Sequence, residues 1–320
     1  MKIKISFVIL SYNDGEMVIN AIRSIKSLKT KYSYDIFVVD NGSESGTAKI
    51  IKEKFKDVKL IELKKNIGTA AYDAAIKKSD AKYIYFTGCD IEVKNDMLDR
   101  LANFLEKNKD TVQAAPKYIS IYDKKTIDLA GTWLSRSFYS GTFKDNTLGS
   151  KPIEIPYIGT GLIRKDFINK WGYLFDNDYF FYGEDVDLGL RIRLMGYKIY
   201  YIPDSIVYHA GSMSRKIHNP SYLTFLMERN LMRTFYQTMS AKSIMEFKIY
   251  GLLMRIIAIA KDVLTLNIGN ALARIKAIFW MIFNMGKIFR KRREVQKMRK
   301  VKDAELLKHF SEKHLWSKMI

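Results

Sequence analysis

From Ile5 to Leu10 the chain is almost continuously apolar, the pattern of a strand buried on both faces. Val18, Ile19, Ile22, Ile25 and Leu28 then recur at helical spacing, which predicts a helix over 17–28 with one apolar face. Asp35 to Val39 predicts a second strand, closed by Asp40-Asn41-Gly42-Ser43. Strands over Val58 to Leu63 and Tyr83 to Thr87 follow, with helical segments at Thr47 to Phe55 and Thr69 to Lys78 between them. This alternation predicts an α/β fold, a mainly parallel sheet flanked by helices. In such sheets ligands lie at the carboxyl ends of the strands. Ser11-Tyr12-Asn13, Asp40-Asn41-Gly42-Ser43 and Gly88-Cys89-Asp90 all fall at those ends.

The second half is less regular. Between Pro116 and Pro156 the pattern loosens into aromatic and Gly-rich sequence, read as irregular strands and loops. Tyr157 to Gly161 predicts a strand, and Tyr182 to Leu188 opens a helix that Gly196 ends. Tyr197 to Ile202 is another strand, followed by Ile206-Val207-Tyr208-His209. From about Ser221 the chain reads as helical to its end. The organisation expected is an α/β domain over 1–235 and a basic, amphipathic helical region over 236–320.

Composition narrows the class. The 320 residues are 48% hydrophobic and 28% charged, a globular balance. A single cysteine, Cys89, excludes an intrachain disulfide framework and points to a reducing compartment. The opening Met1-Lys2-Ile3-Lys4-Ile5 alternates charge with apolar residues, as a strand does and a signal peptide does not. No uncharged run exceeds 11 residues, well short of the roughly 20 a spanning helix needs. The net charge is +20, and residues 241–320 hold 18 Lys and Arg against 6 Asp and Glu. Such a tail calls for a polyanionic neighbour.

Several side chains suit a nucleotide site. Tyr12 offers a face for stacking, and the Asp40 carboxylate can accept the imino hydrogen of a pyrimidine. The plainer reading of Asp40-Asn41-Gly42-Ser43 is a turn and nothing more. Asp187 precedes Arg191 by four residues, a spacing that supports a structural ion pair. Trp171 and Tyr173 can stack on a sugar, although core packing is the commoner fate of such rings.

The ordered series Ile9-Leu10-Ser11-Tyr12-Asn13, Val38-Val39-Asp40-Asn41-Gly42-Ser43, Asn66-Ile67-Gly68, Gly88-Cys89-Asp90, Gly159-Thr160-Gly161 and Tyr182-Gly183-Glu184-Asp185-Val186-Asp187-Leu188-Gly189-Leu190-Arg191 resembles glycosyltransferase family 2, in particular its rhamnosyltransferase-like branch. The resemblance runs from about Lys4 to Arg233 and implies a GT-A (Rossmann-like) fold with a C-terminal helical extension. It implies a base pocket holding Asp40, Ser11 and Tyr12, with Asn66 and Gly68 closing over base and ribose; Cys89, on the cofactor-binding side, reads as a small space-filling residue next to the metal site and not a nucleophile. It places Asp90 at the last position of a metal-binding DxD element and His209 as a further metal ligand. Gly88 stands where the strict motif has an acid. Asp185 matches the family's catalytic base, with Glu184 beside it in the catalytic pair. The activity implied is inverting transfer of a sugar from a nucleotide-diphosphate sugar, UDP- or dTDP-linked, to a hydroxyl of a glycan or lipid-linked acceptor.

A divalent metal has an independent rationale. Negative charge grows on the departing diphosphate, and Mg²⁺ needs only one or two protein carboxylates besides phosphate oxygens and water. An imidazole ligand tilts the choice towards Mn²⁺. The competing reading is a non-catalytic sugar-nucleotide-binding or scaffolding subunit, motivated by Gly88. An oxidoreductase is disfavoured because no GxGxxG follows a strand. For the tail, apolar stretches at Ile249 to Leu266 and Ala271 to Phe289, ending in Arg290-Lys291-Arg292-Arg293, fit an interfacial helix on an anionic membrane. That reading implies a cytoplasmic protein, peripheral on the inner face of the cell membrane. Packing on the domain or on a second copy, as a homo-oligomer, is the alternative. No recognised nucleic-acid module is present, so nucleic acid is not an expected partner.

Overall fold

The computed structural model describes residues 3–211 and 219–315. Met1, Lys2 and the last five residues of the basic tail therefore lie outside the described residues. Strands β1 (Lys4–Ser11), β2 (Ser33–Asp40), β3 (Lys59–Glu62) and β4 (Tyr83–Gly88) pair in parallel, in the order β4-β1-β2-β3. Between them run α1 (Gly15–Lys26), α2 (Thr47–Lys54) and a 3-10 turn (Gly68–Ala71) leading into α3 (Tyr72–Ile76). The near-continuous apolar strands have their expected cause. Phe7 and Ile9 pack with Val18, Ile22 and Leu101 on one face, while Val8 packs with Tyr72, Phe86 and Phe175 on the other. Burying each such side chain contributes roughly 1.5–3 kcal/mol.

The sheet continues beyond β4 through β11 (Gly161–Arg164), β6 (Thr111–Ser120), β12 (Lys198–His209) and β10 (Ile153–Glu154). β12 and β6 are parallel to each other, whereas β11 is antiparallel to both β4 and β6. The short β5 (Ile91–Val93) and β7 (Ile127–Leu129) pair with β12 and β6, and β8 (Thr132–Leu134) and β9 (Ser140–Thr142) form a separate hairpin.

Three expectations need correction. The looseness read from Pro116 onwards conceals β6, which runs straight through that proline. Pro116 sits opposite Ile202, and the next pair is Lys117 with Ile206, so β12 bulges where proline has no N–H to offer. The strand expected at Tyr157 to Gly161 begins only at Gly161. Before it, Gln113 Nε2 donates to the carbonyls of Ile158 and Thr160, replacing ladder bonds with side-chain ones. A helix left unassigned, α4 (Met97–Lys107), buries Met97, Leu98, Leu101, Ala102 and Leu105, a helical period present in the sequence.

After α5 (Lys165–Trp171), helix α6 (Glu184–Leu194) is anchored by the expected pair: Arg191 Nε donates to Asp187 at 2.7 Å, and both side chains are buried. Trp171 and Tyr173 both face the Arg191 guanidinium, at 5.1 and 4.8 Å, so their rings are used in packing. Gly196 adopts a left-handed conformation just past the helix. The chain then forms α7 (Pro220–Thr238), α8 (Ala241–Leu264), α9 (Ile268–Lys297) and α10 (Asp303–Leu307).

Candidate active site

Register alone gathers the strand-end motifs. Ser11 pairs with Asp40, Leu10 with Gly88, and His209 with both Ser120 and Ile91, so all these carboxyl ends lie along one edge of the sheet. A cavity of about 360 Å³ opens there. Of the residues singled out in the sequence, Tyr12, Asn66, Gly68, Cys89, Asp90, Glu184 and His209 line it.

Asp40, Ser11 and Asp185 do not line it; Asp40 and Ser11 are buried, whereas Asp185 is half-buried. Asp40 is buried and its Oδ1 accepts the Ser43 N–H at 3.0 Å, so the turn reading holds for that oxygen. The neighbouring Asn41 faces the cavity instead; its Nδ2 donates to Asn66 Oδ1 at 3.0 Å and to the Gly68 carbonyl at 3.1 Å. Ser11 is fully buried, with its Oγ lacking a hydrogen-bond partner among the described residues. Asp185 lies behind Gly159, which lines the cavity: a Cβ on that glycine would stand 3.2 Å from Asp185 Cβ.

Gly68 shows why glycine is required on the opposite wall. It has φ +69°, and a Cβ there would lie 2.0 Å from the Phe180 carbonyl oxygen. That oxygen accepts the Thr69 N–H at 2.9 Å, stitching the Asn66–Gly68 loop to the segment that carries Phe180 and Phe181 into the cavity.

Asp90 and His209 meet in the cavity's lining, with His209 Nε2 3.1 Å from Asp90 Oδ2. The other ring nitrogen, Nδ1, is hydrogen-bonded to Asp128 Oδ2. Burial opposes charge on this imidazole, but the bonds and charges of Asp128 and Asp90 push its pKa up to about 9. The same bond to His209 leads the forces that hold Asp128 down to about 2. Among the described residues no group of three His, Cys, Asp or Glu is placed to hold a metal by itself. With its Nε2 proton displaced by the ion, His209 could share a divalent cation with Asp90, the remaining positions going to phosphate and water. Adjacent ligands on an octahedron with bonds near 2.1 Å are about 3.0 Å apart, close to the separation of Asp90 and His209. Gly88 also finds an explanation, since a Cβ there would lie 2.9 Å from Asp90 Oδ1. A side chain at 88 would displace the carboxylate that the site retains.

The acidic pair opens α6. Glu184 is buried, lines the cavity and has no hydrogen-bond partner for Oε2 among the described residues. Burial, reinforced by the Asp185 charge, pushes its pKa well above the ordinary carboxyl value. Burial also raises Asp185, to about 6, opposed by backbone N–H groups at the helix start. Burial thus favours the protonated form of Glu184, while the N–H groups at the helix start favour the ionised form of Asp185.

Sequence reasoning missed four contributors. Asp128 sits on the short edge strand β7, where no motif marks it. Asn41 was read only as part of a turn. Phe180 and Phe181 belong to a segment whose conformation is set by distant contacts. Cys89 is buried, and burial drives its thiol pKa well up.

Comparison with known proteins adds the following. The family model for Glycosyl transferase family 2 matches residues 6–171. The poly-beta-1,6-N-acetyl-D-glucosamine synthase of Staphylococcus epidermidis is 28% identical over 211 residues, which is 63% of this chain and 48% of that protein. The N-acetylglucosaminyl-diphospho-decaprenol L-rhamnosyltransferase of Mycobacterium tuberculosis is 21% identical over 262 residues, 70% of this chain and 84% of its own. Among solved structures, GalNAc-T7 crystallised with UDP, GalNAc and Mn²⁺ matches with a TM-score of 0.59 at 16% identity, covering 74% of this chain and 48% of that one. The chain thus spans about half the length of the synthase it matches.

Proposed function

Because the chain belongs to glycosyltransferase family 2, we propose that it transfers a sugar from a nucleoside-diphosphate donor to an acceptor hydroxyl with inversion at the anomeric carbon. It is a glycosyltransferase with the GT-A fold, a curled and mostly parallel sheet flanked by helices. The observation that carries the finer reading is convergence: Asp90, His209 and Glu184 line one cavity, and Asp185 stands behind its wall.

In this reading the nucleotide occupies the side bounded by Tyr12, Asn41, Asn66 and Gly68, with Ser11, Asp40 and Cys89 supporting it. UDP or dTDP is the preferred donor class. Asp90 and His209 would hold a divalent ion, Mg²⁺ or Mn²⁺, which as a Lewis acid offsets the charge on the departing diphosphate. Asp185 accepts the proton of the acceptor hydroxyl as that oxygen bonds to the anomeric carbon and the bond to the diphosphate oxygen breaks. Burial favours the protonated form of Glu184, which can donate a hydrogen bond to a sugar hydroxyl and lowers the repulsion an ionised neighbour would impose on Asp185.

The acceptor we propose is a lipid-linked saccharide, met at an anionic membrane surface on the cytoplasmic side. No described helix is long and apolar enough to cross a membrane. Yet α8 and α9 expose Ile249, Leu253, Ile257, Leu264, Leu272 and Phe283, forming an apolar face on a basic hairpin. Surfaces of that kind mark membrane or protein contacts. Two copies meeting on this face would each bring a net charge of +20, which favours an anionic bilayer over self-association.

The test is donor binding and transfer with a panel of UDP- and dTDP-sugars in Mn²⁺, Mg²⁺ or EDTA. Asp185→Asn should cut transfer about 10²–10⁴-fold while the donor still raises the melting temperature. Undiminished transfer by that variant would remove Asp185 as the base.

A further inference from the structure

The α8–α9 hairpin is fastened to the domain by charge. Glu228 of α7, fully buried, is bonded to Arg274 of α9, lies 3.1 Å from Arg255 Nε of α8, and accepts from the Tyr139 hydroxyl at 2.8 Å. Asp262 adds a second contact to Arg274 at 2.7 Å. Held in this way, the hairpin stands partly clear of α7 and leaves an apolar groove of about 440 Å³. Phe235, Phe247 and Met281 line its interior, and the turn at Arg136–Phe138 forms one wall. The volume lies within the ~300–1,000 Å³ of small-ligand sites.

We propose that this groove seats the hydrocarbon chain of a phosphate-headed lipid acceptor, an inference that rests on the membrane reading above. Continuity is the first argument. Ile249, Leu252 and Ile282 line the groove and are also exposed on the outer apolar face, so the groove opens onto the surface assigned to the bilayer. Charge is the second. The Arg136 guanidinium and Lys248 Nζ edge the groove and form no salt bridge among the described residues, Glu312 reaching only the Arg136 backbone N–H, and Arg255, paired with Glu228 through Nε, has a buried Nη2 that makes no hydrogen bond there. A phosphate head would meet these cations while its chain runs inward. Location is the third. The turn carrying Arg136 and Phe138 continues into β9, whose Thr142 lines a second cavity together with Asp128, Thr160 and His209. Phe138 and Thr142 are four residue steps apart, about 14 Å at most, a span that a sugar diphosphate can bridge. A peptide is a poorer occupant, because its backbone N–H and C=O groups would go unpaired against this apolar lining.

The probe is farnesyl monophosphate carrying a diazirine in its chain, photolysed with the full-length protein in vesicle-free buffer. Cross-links should map to Phe247, Leu252 and Met281. Gly251→Leu, which projects into the groove, and Ile282→Trp at its mouth should each reduce labelling at least fivefold. Gly251 has room for a Cβ, its nearest contact being 3.6 Å away, and an unchanged melting temperature verifies the fold of both variants. Labelling confined to Leu264 and Phe283, wild-type labelling of the filled variants, or displacement by phosphatidylglycerol vesicles would overturn the proposal. So would a wild-type dimer whose dissociation is needed for labelling. Flotation on phosphatidylglycerol vesicles is scored separately. Its loss in the wild type counts against the membrane surface, while groove labelling in buffer still decides the chain site.

Discussion

Asn230, on α7, donates from its side-chain amide to the Tyr182 carbonyl at 2.5 Å, and the same nitrogen reaches the carbonyls of Tyr179 and Phe181, each at 3.1 Å. One amide thus secures the segment leading into α6. That segment needs securing: Phe180 and Tyr182 have φ of +64° and +61°, a region costing bulky residues about 1–3 kcal/mol each. Its reward is placement, since Phe180 and Phe181 line the candidate cavity and Gly183 starts the helix that presents Glu184 and Asp185.

Asn230→Ala takes the side-chain donor from the Phe181 and Tyr182 carbonyls, while that of Tyr179 keeps Arg229 Nη2 at 2.8 Å; it should destabilise by about 1–3 kcal/mol, with kcat falling because the acidic pair loses its position. Asn230→Asp conserves shape but puts a carboxylate where only a donor fits. It should be worse than alanine in both melting temperature and turnover. An aspartate variant equal to wild type would show that the amide bonds do not hold this segment.

The acid limb of the pH profile should report Asp185. A base must be ionised to accept a proton, so kcat/KM should fall tenfold per pH unit below about 6. Linkage carries the opposite sign for stability. Folding raises the pKa of both Glu184 and Asp185, so the native state binds protons more tightly than the unfolded chain. Their contribution to stability is present below the unfolded carboxyl pKa and is lost as pH rises through the folded values. Titrating kcat/KM from pH 4.5 to 8 checks the first statement. A limb centred near 4 would show that the base is an unperturbed carboxylate elsewhere.

The parallel half of the sheet was legible because β1, β2 and β4 are buried on both faces, and such strands advertise themselves as apolar runs. The strand-end motifs were legible because register brings those ends together wherever the strands lie side by side. Asp128 was not, because its importance lies entirely in reaching a histidine far along the chain, on an edge strand of three residues. Asp40 shows a subtler limit: sequence could place the turn at the strand end but could not say whether Asp40 or Asn41 faces the cavity. The tail could be read as amphipathic, yet nothing in its spacing revealed that Glu228 would clasp Arg255 and Arg274 and leave a groove beside them.

Asp128 should matter through His209. Its bond to Nδ1 fixes the ring so that Nε2 faces Asp90, and partners of this kind typically govern metal affinity by 10–100-fold. Asp128→Asn should therefore raise the Mn²⁺ concentration for half-maximal activity by roughly that factor, with saturating Mn²⁺ restoring most of the turnover. The arrangement would be merely structural if activity dropped equally at every Mn²⁺ concentration.

Gly88 offers a test of Asp90 itself. Restoring an acid at the first position of the motif looks like an improvement, but a Cβ at 88 would stand 2.9 Å from Asp90 Oδ1. The carboxylate must then rotate, and its present separation of 3.1 Å from His209 Nε2 is lost. Gly88→Ala, which adds only that Cβ, should weaken Mn²⁺ activation about tenfold, in the range seen when ligand orientation is disturbed. Gly88→Asp adds the same obstruction together with a second negative charge, so any gain in attraction is set against a displaced ligand. If both variants respond to Mn²⁺ as the wild type does, Asp90 is not held where its present geometry puts it, and the two-donor metal site must be abandoned.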